Sequence, residues 1–212
     1  MHLIHRGIIN KKFLENNINS FKESFKKGFG IETDIHASKD EKFICFHDYT
    51  LKRIFKIKRS IKDLNYLKIK QLSSKKNNEI PLLKDLLKIN KNKHYLFIEI
   101  KPNFSKKLLI KLVKETSKHS KCVFISFKHE NIFKLLKIKK NIKVGLSFSP
   151  STSIKTIVEK TKNNKIKYLI LDKFFINKQE INKLKIIKFY YTIKTKALFK
   201  KYNRNNLIFE NL

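Results

Sequence analysis

The chain has 212 residues, 41% of them hydrophobic, with 50 Lys or Arg against 17 Asp or Glu and a formal net charge of +33. That hydrophobic share excludes a disordered chain, and no run of about 18 uncharged apolar residues is present that would cross a membrane as a helix. The length suits one core, near the lower end for a single (β/α)8 barrel, so residues 1–212 read as one domain.

The first predicted strand, residues 3–5, ends in His5-Arg6-Gly7. That places an acid/base, a planar cation suited to phosphate oxygens and a permissive turn together. A surface turn would look the same. Glu15-Asn16-Asn17 then precedes a helix over residues 18–27, with Phe21 and Phe25 as its apolar stripe and Asn16 or Asn17 as its N-cap. Gly28 and Gly30 end that helix.

Residues 30–48, GIETDIHASKDEKFICFHD, carry the densest chemistry. Glu32 and Asp34 lie two apart on a predicted strand and so share a face. Residues 38–42 are a polar break, and residues 43–46 form a second strand. A hairpin centred between Asp40 and Glu41 puts His47 opposite Asp34, on the face of both carboxylates. Like charges about 4 Å apart repel unless a cation or proton lies between them. A hard divalent metal with oxygen ligands resolves that conflict, with a histidine beside it as acid or base. The alternative is an exposed edge hairpin whose charges are solvated.

Residues 49–78 are lysine-rich and irregular, with a helical turn expected near residues 61–72, and Pro81 opens a helix over residues 82–89. A strand over residues 96–100 carries Glu99, with Lys101 two positions on. An acid inside such a run is rare unless paired or metal-bound, so the readings are a metal ligand or a Glu–Lys pair at a strand end. Strands over residues 123–126, 143–148, 168–171, 189–193 and 207–210 then alternate with helices over residues 105–119, 130–139, 153–162, 178–184 and 195–202. Such alternation implies parallel pairing with right-handed crossovers. The strand count reaches eight if residues 43–46 form a hairpin arm above the barrel. The expected architecture is therefore an α/β TIM (β/α)8 barrel with a β-hairpin arm over the catalytic face, where every candidate residue falls.

His2, His94, His119 and His129 lack a carboxylate partner in pattern and read as surface residues. His36, two after Asp34, is a further candidate to face the site. Cys45 and Cys122 fall in predicted strands and read as reduced core residues. Only Arg6, Arg53, Arg59 and Arg204 are arginine, and the lysines are spread along the whole chain. This is the composition that drift towards A/T-rich codons leaves, so no nucleic-acid partner is expected. The positive field still attracts small anions.

Taken together, the segments resemble the glycerophosphodiester phosphodiesterase family. The matching features are His-Arg-Gly at 5–7, Glu-Asn-Asn at 15–17, Glu-x-Asp at 32–34, and His-Asp at 47–48 with Leu51 and Arg53. Ile80-Pro81, Glu-Ile-Lys at 99–101 and Ser126-Phe127 continue the match, in order, along nearly the whole chain. The resemblance implies a TIM barrel and metal-dependent cleavage of a small phosphodiester such as glycerophosphocholine or glycerophosphoethanolamine. It implies one Mg2+ or Ca2+ held by Glu32, Asp34 and Glu99, with His5 and His47 as the acid/base pair. Arg6 and Lys101 would bind phosphoryl oxygens, and Asp48 would support by hydrogen bonding.

Two stretches depart from the family pattern. Tyr191-Thr192-Ile193-Lys194 stands where a tryptophan stretch, Trp-Thr-x-Asn, would flank the substrate, leaving Tyr191 as the aromatic. Glu210-Asn211 replaces a Thr-Asp-x-Pro-like stretch near the C-terminus. Residues 1–6 contain no signal-peptide core, so a cytoplasmic location is expected. Two other classes compete: a catalytically weak barrel that binds phosphate ligands, and a basic nucleic-acid-binding protein.

Overall fold

The inward rows of the strands organise the molecule. In the computed structural model, which describes residues 1–75, 78–163 and 165–210, nine strands form one sheet. They are β1 (His2–His5), β2 (Gly30–Ala37), β3 (Phe43–Cys45), β4 (Leu96–Ile100), β5 (Cys122–Ser126), β6 (Val144–Phe148), β7 (Tyr168–Asp172), β8 (Ile187–Ile193) and β9 (Asn206–Phe209). All but β3 are parallel, and they close into a barrel because β1 pairs with both β9 and β2. The expected eight-stranded (β/α)8 barrel with an added hairpin arm is therefore what the chain forms.

Alternation along each strand divides the residues between two environments. Leu3, Phe97, Val123, Ile125, Phe189 and Ile208 point inward and pack together in the barrel interior. The opposite faces pack under the surrounding helices. These helices include α1 (Ile18–Lys26), α5 (Lys106–Glu115), α6 (His129–Ile138), α7 (Ile154–Thr161) and α9 (Lys196–Tyr202). Asn17 is the N-cap of α1, accepting from the Asn19 amide and forming a capping box with Ser20. Helix α5 stops at Glu115, short of the expected residue 119, where the Thr116 hydroxyl donates to the Leu112 carbonyl. Gly30 is fixed by space, since an added Cβ would lie 2.6 Å from the Tyr95 carbonyl oxygen and 2.8 Å from Leu3 Cδ2.

The arm corrects one expectation. Strand β3 pairs antiparallel with β2 in the register His36↔Ile44 and Ala37↔Phe43, so Asp34 faces Phe46 and not His47. The Phe46 amide accordingly donates to the Asp34 carbonyl at 2.9 Å. The reason lies in the turn. The Ser38 amide donates to the Lys42 carbonyl at 2.9 Å, which leaves a three-residue loop closed by Glu41 in the left-handed region at φ 58°. An odd loop moves the pairing centre onto Asp40. His47 lies just past the last ladder residue, so it escapes the strict alternation of faces.

Beyond β3 the chain forms α2 (Lys52–Phe55), a short 3-10 turn (Ile61–Asp63) and α3 (Tyr66–Ser74) before α4 (Leu83–Asn90). More of this segment is helical than its sequence suggests. The apolar residues of α3 do not segregate to one face, with Ile69 buried but Leu67 79% exposed, so the periodic signal is weak. Pro81 lies ahead of the α4 N-cap Leu82, where its carbonyl accepts the Cys45 amide at 2.9 Å. Ile44, Phe46, Leu51, Phe55, Ile61 and their neighbours build a core of their own, separate from both layers of the barrel.

Candidate active site

The inward rows that fill the barrel continue at its C-terminal mouth as polar side chains. Leu3 is followed two residues on by His5, Phe97 by Glu99 and Lys101, and Ile208 by Glu210. A cavity of about 210 Å³ opens there, lined by His5, Arg6, Glu32, His47, Glu99, Lys101, Phe127, Tyr191 and Thr192 over a floor of Ile125, Ile170 and Ile208. A larger groove of about 800 Å³ elsewhere holds Glu79 and Asp85 but no histidine. The chemistry therefore belongs to the smaller cavity.

Parallel pairing brings the three acids together. His5 is level with Glu32, and Asp34 is level with Glu99. One carboxylate oxygen from each of Glu32, Asp34 and Glu99 lies within 4.8 Å of the others, and all three residues are buried. Two cations reach into the cluster. Lys101 Nζ lies 2.8 Å from Glu99 Oε1 and 3.5 Å from Asp34 Oδ1. Arg6 Nε lies 3.0 Å from Asp34 Oδ2, but it is out of line for a hydrogen bond, so that contact is ionic. The Asn16 amide donates to the same Asp34 oxygen at 3.2 Å and accepts from the Thr33 hydroxyl at 2.7 Å. Asn16 thus supports the site rather than capping α1.

The acids respond differently. Burial pushes the Glu32 carboxyl well above the ordinary range, and the charges of Asp34 and Glu99 push it further. Burial and Asp34 raise Glu99 to about 7. For Asp34, burial is outweighed by Arg6 and Lys101, which hold it ionised well below the usual range. Glu32 Oε2 is buried without a hydrogen-bond partner. If all five groups ionise, the three carboxylates and two cations carry one net negative charge. An orphaned carboxylate oxygen in an all-oxygen acid set fits a hard divalent ion.

Both histidines are oriented in the same way. His5 Nδ1 donates to Glu210 Oε2 at 2.8 Å, and its Nε2 lies 3.8 Å from Glu32 Oε2. His47 Nδ1 donates to Asp48 Oδ1 at 2.7 Å. An ionised carboxylate only accepts, so each Nδ1 carries a proton, and Nε2 is the nitrogen of each ring left to exchange one. The hydrogen bond from His5 holds Glu210 down at about 2 despite its burial, with Lys194 assisting. Burial lowers His47, with Asp34 opposing and Arg6 and Lys101 adding to the fall, so its imidazole is neutral at neutral pH.

His5, Arg6, Glu32, His47, Glu99, Lys101 and Tyr191 all reach this mouth, with Asp34 beneath them. His36 does not line the cavity. It is buried below, where its Nε2 donates to the His47 carbonyl at 3.1 Å. Among the residues read as exposed, His129 is half-buried and donates to the Ser147 carbonyl at 2.9 Å. The Tyr191 hydroxyl donates to the Phe148 carbonyl at 2.8 Å, which leaves its ring to wall the cavity edge-on to Phe127. Glu210 was missed as a functional residue, although its spacing of two from the inward-facing Ile208 marks it. The two departures from the family pattern also meet, because Lys194 Nζ lies 2.7 Å from Glu210 Oε1. Asn211 lies outside the described residues.

Comparison with known proteins agrees with this geometry. The sequence model of the glycerophosphoryl diester phosphodiesterase family matches residues 5–209. A glycerophosphodiester phosphodiesterase of Caldanaerobacter subterraneus is 30% identical over 161 residues, which is 69% of this chain and 65% of the relative. The chain thus spans just under two thirds of that relative's length. The crystal structure of a Thermotoga maritima glycerophosphodiester phosphodiesterase superposes with a TM-score of 0.81 at 25% identity, over 98% of this chain and 93% of that one. An Oleispira antarctica phosphodiesterase, solved in complex with the product sn-glycerol-3-phosphate, shares the fold with a TM-score of 0.84 at 20% identity, over 99% and 92% of the two chains.

Proposed function

The chain belongs to the glycerophosphoryl diester phosphodiesterase family, and from that footing we propose that it is a single-domain, metal-dependent phosphoric diester hydrolase. Its substrates are glycerophosphodiesters such as glycerophosphocholine or glycerophosphoethanolamine, which it cleaves to sn-glycerol 3-phosphate and an alcohol. The observation that carries this reading is the buried cluster of Glu32, Asp34 and Glu99 beside two histidines that are each held at Nδ1 by a carboxylate. The relative of the same fold in complex with sn-glycerol-3-phosphate supports it.

Glu32, Asp34 and Glu99 would hold one Mg2+ or Ca2+. When bound, such an ion polarises a phosphoryl oxygen and offsets the charge that develops there. It also turns the net negative charge of the cluster into a net positive one, the complement of a monoanionic diester. Arg6 and Lys101 bind the non-bridging oxygens. Of the two histidines, one accepts the nucleophile's proton at a free Nε2, and the other, entering the step protonated at both ring nitrogens, delivers its Nε2 proton to the leaving alkoxide. Each such transfer contributes roughly 10²–10⁴-fold. Among the described residues no helix is long and apolar enough to cross a membrane, and we place the enzyme in the cytoplasm.

Hydrolysis of glycerophosphocholine with and without EDTA tests the activity, and melting curves test the cluster. Because Glu99 sits at about 7 and Glu32 well above its ordinary value, both ionise more readily in the unfolded chain. In the metal-free protein they therefore lower stability as pH rises above the ordinary carboxylate range, until it passes the folded values. A divalent ion reverses this, so its gain in Tm should be larger at about pH 8 than at about pH 5.5. Turnover that survives EDTA, with no ion-dependent Tm shift at either pH, would remove the metal.

A further inference from the structure

His47 reaches the site from the arm, whereas His5, Arg6 and the three acids stand on the barrel. The arm packs around a core of its own, so the spacing between His47 and the barrel residues depends on how the two bodies are registered. One side chain spans that junction by gripping a carboxylate on each side. From α2, Arg53 donates Nε to Asp48 Oδ2 at 2.6 Å and NH2 to Asp48 Oδ1 at 3.1 Å. It also donates NH1 to Glu15 Oε2 at 2.9 Å and NH2 to Glu15 Oε1 at 2.6 Å. Each of those carboxylates holds a residue lining the cavity. Asp48 orients the His47 ring, and Glu15 Oε1 accepts from Arg6 NH1 at 3.2 Å.

We propose that Arg53 is a positioning residue, a latch that docks the arm on the barrel and sets the spacing between His47 and Arg6. Its catalytic consequence rests on the diesterase reading given above. The residue type is demanded by geometry, since a planar guanidinium grips two carboxylates at once while an ammonium is a single point charge. The side chain is 50% exposed, and exposed ion pairs contribute little to global stability. What the latch supplies is register. Other polar ties also cross the junction, among them His36 to the His47 carbonyl, the Phe46 amide to the Asp34 carbonyl, the Tyr49 hydroxyl to the Lys101 carbonyl, and Lys107 and Lys111 to Glu41, but none of these grips the Asp48 or Glu15 carboxylate.

The test compares wild type, Arg53→Ala and Arg53→Lys by hydrogen exchange and by steady-state kinetics on glycerophosphocholine. In Arg53→Ala, amides of residues 46–58 should exchange faster while those of β5–β8 keep their protection. Because the variant disturbs both His47 and Arg6, kcat should fall by about 10²-fold and KM should rise with it. Guanidinium ion added to Arg53→Ala should restore part of the activity, and Arg53→Lys, which keeps charge but not the fork, should fall between the two. Unchanged kcat and KM in Arg53→Ala would overturn the proposal, as would faster exchange throughout the barrel with KM unaltered. If wild type hydrolysed no glycerophosphodiester, the diesterase reading would fall, and exchange in the arm would still judge the latch.

Discussion

Glu32→Gln and Glu99→Gln are each expected to remove most turnover and to weaken divalent-ion binding while the barrel stays folded. Both are close to isosteric, and both act on carboxyls that burial and neighbouring charge already push towards the neutral form. Removing one such charge takes away repulsion from the cluster, so the metal-free variants should melt no lower than wild type. Turnover is a different matter. Several kcal/mol of charge stabilisation in the transition state corresponds to about 10³-fold in rate, which is the loss expected. The two readouts separate chemistry from architecture. A collapsed melting curve would mean that the acids hold the barrel together, and the metal assignment would fall.

His5→Ala and His47→Ala are each expected to lower kcat by about 10²–10⁴-fold with the fold intact. The double variant should cost far less, in free energy, than the two single losses combined, because an acid and a base that serve one displacement act as a unit. The structure adds the reason that both rings are preset. Glu210 and Asp48 fix the tautomers, so neither histidine must reorganise before a proton moves. Full activity in either single variant would exclude that histidine from the mechanism.

What was legible in the sequence followed from periodicity. Residues two apart on a strand share a face, and that rule found Glu32 with Asp34 and Glu99 with Lys101, because parallel ladders keep such rows aligned from strand to strand. The same rule reaches Glu210 from Ile208, although as a motif position Glu210 stands only as a departure from the family pattern. The position of His47 was anticipated, and its stated cause was not. The expected pairing with Asp34 assumed an even loop, and no short-range signal announces that Glu41 adopts a left-handed conformation. Arg53 was visible only as part of a motif. Its partners are 5 and 38 residues away, and the longer of those spans has no periodic signature. The role of Asn16 was hidden in the same way, since it reaches Asp34 across 18 positions.

The closure of β1 on β9 has a kinetic consequence. The Met1 amino group donates to Asn206 at 2.8 Å, and His5 meets Glu210, both across 205 positions of chain. Bringing such distant segments together costs more loop entropy than any neighbouring strand pair, and contacts of this separation tend to form late. A refolding chain should therefore regain most of its helical signal before its hydrolytic activity, since His5 lacks its orienting partner until the seam shuts. Stopped-flow traces in which activity returned together with the first circular-dichroism change would contradict that order. On the proposed mechanism, the seam expected to zip last would also be the one that switches the chemistry on.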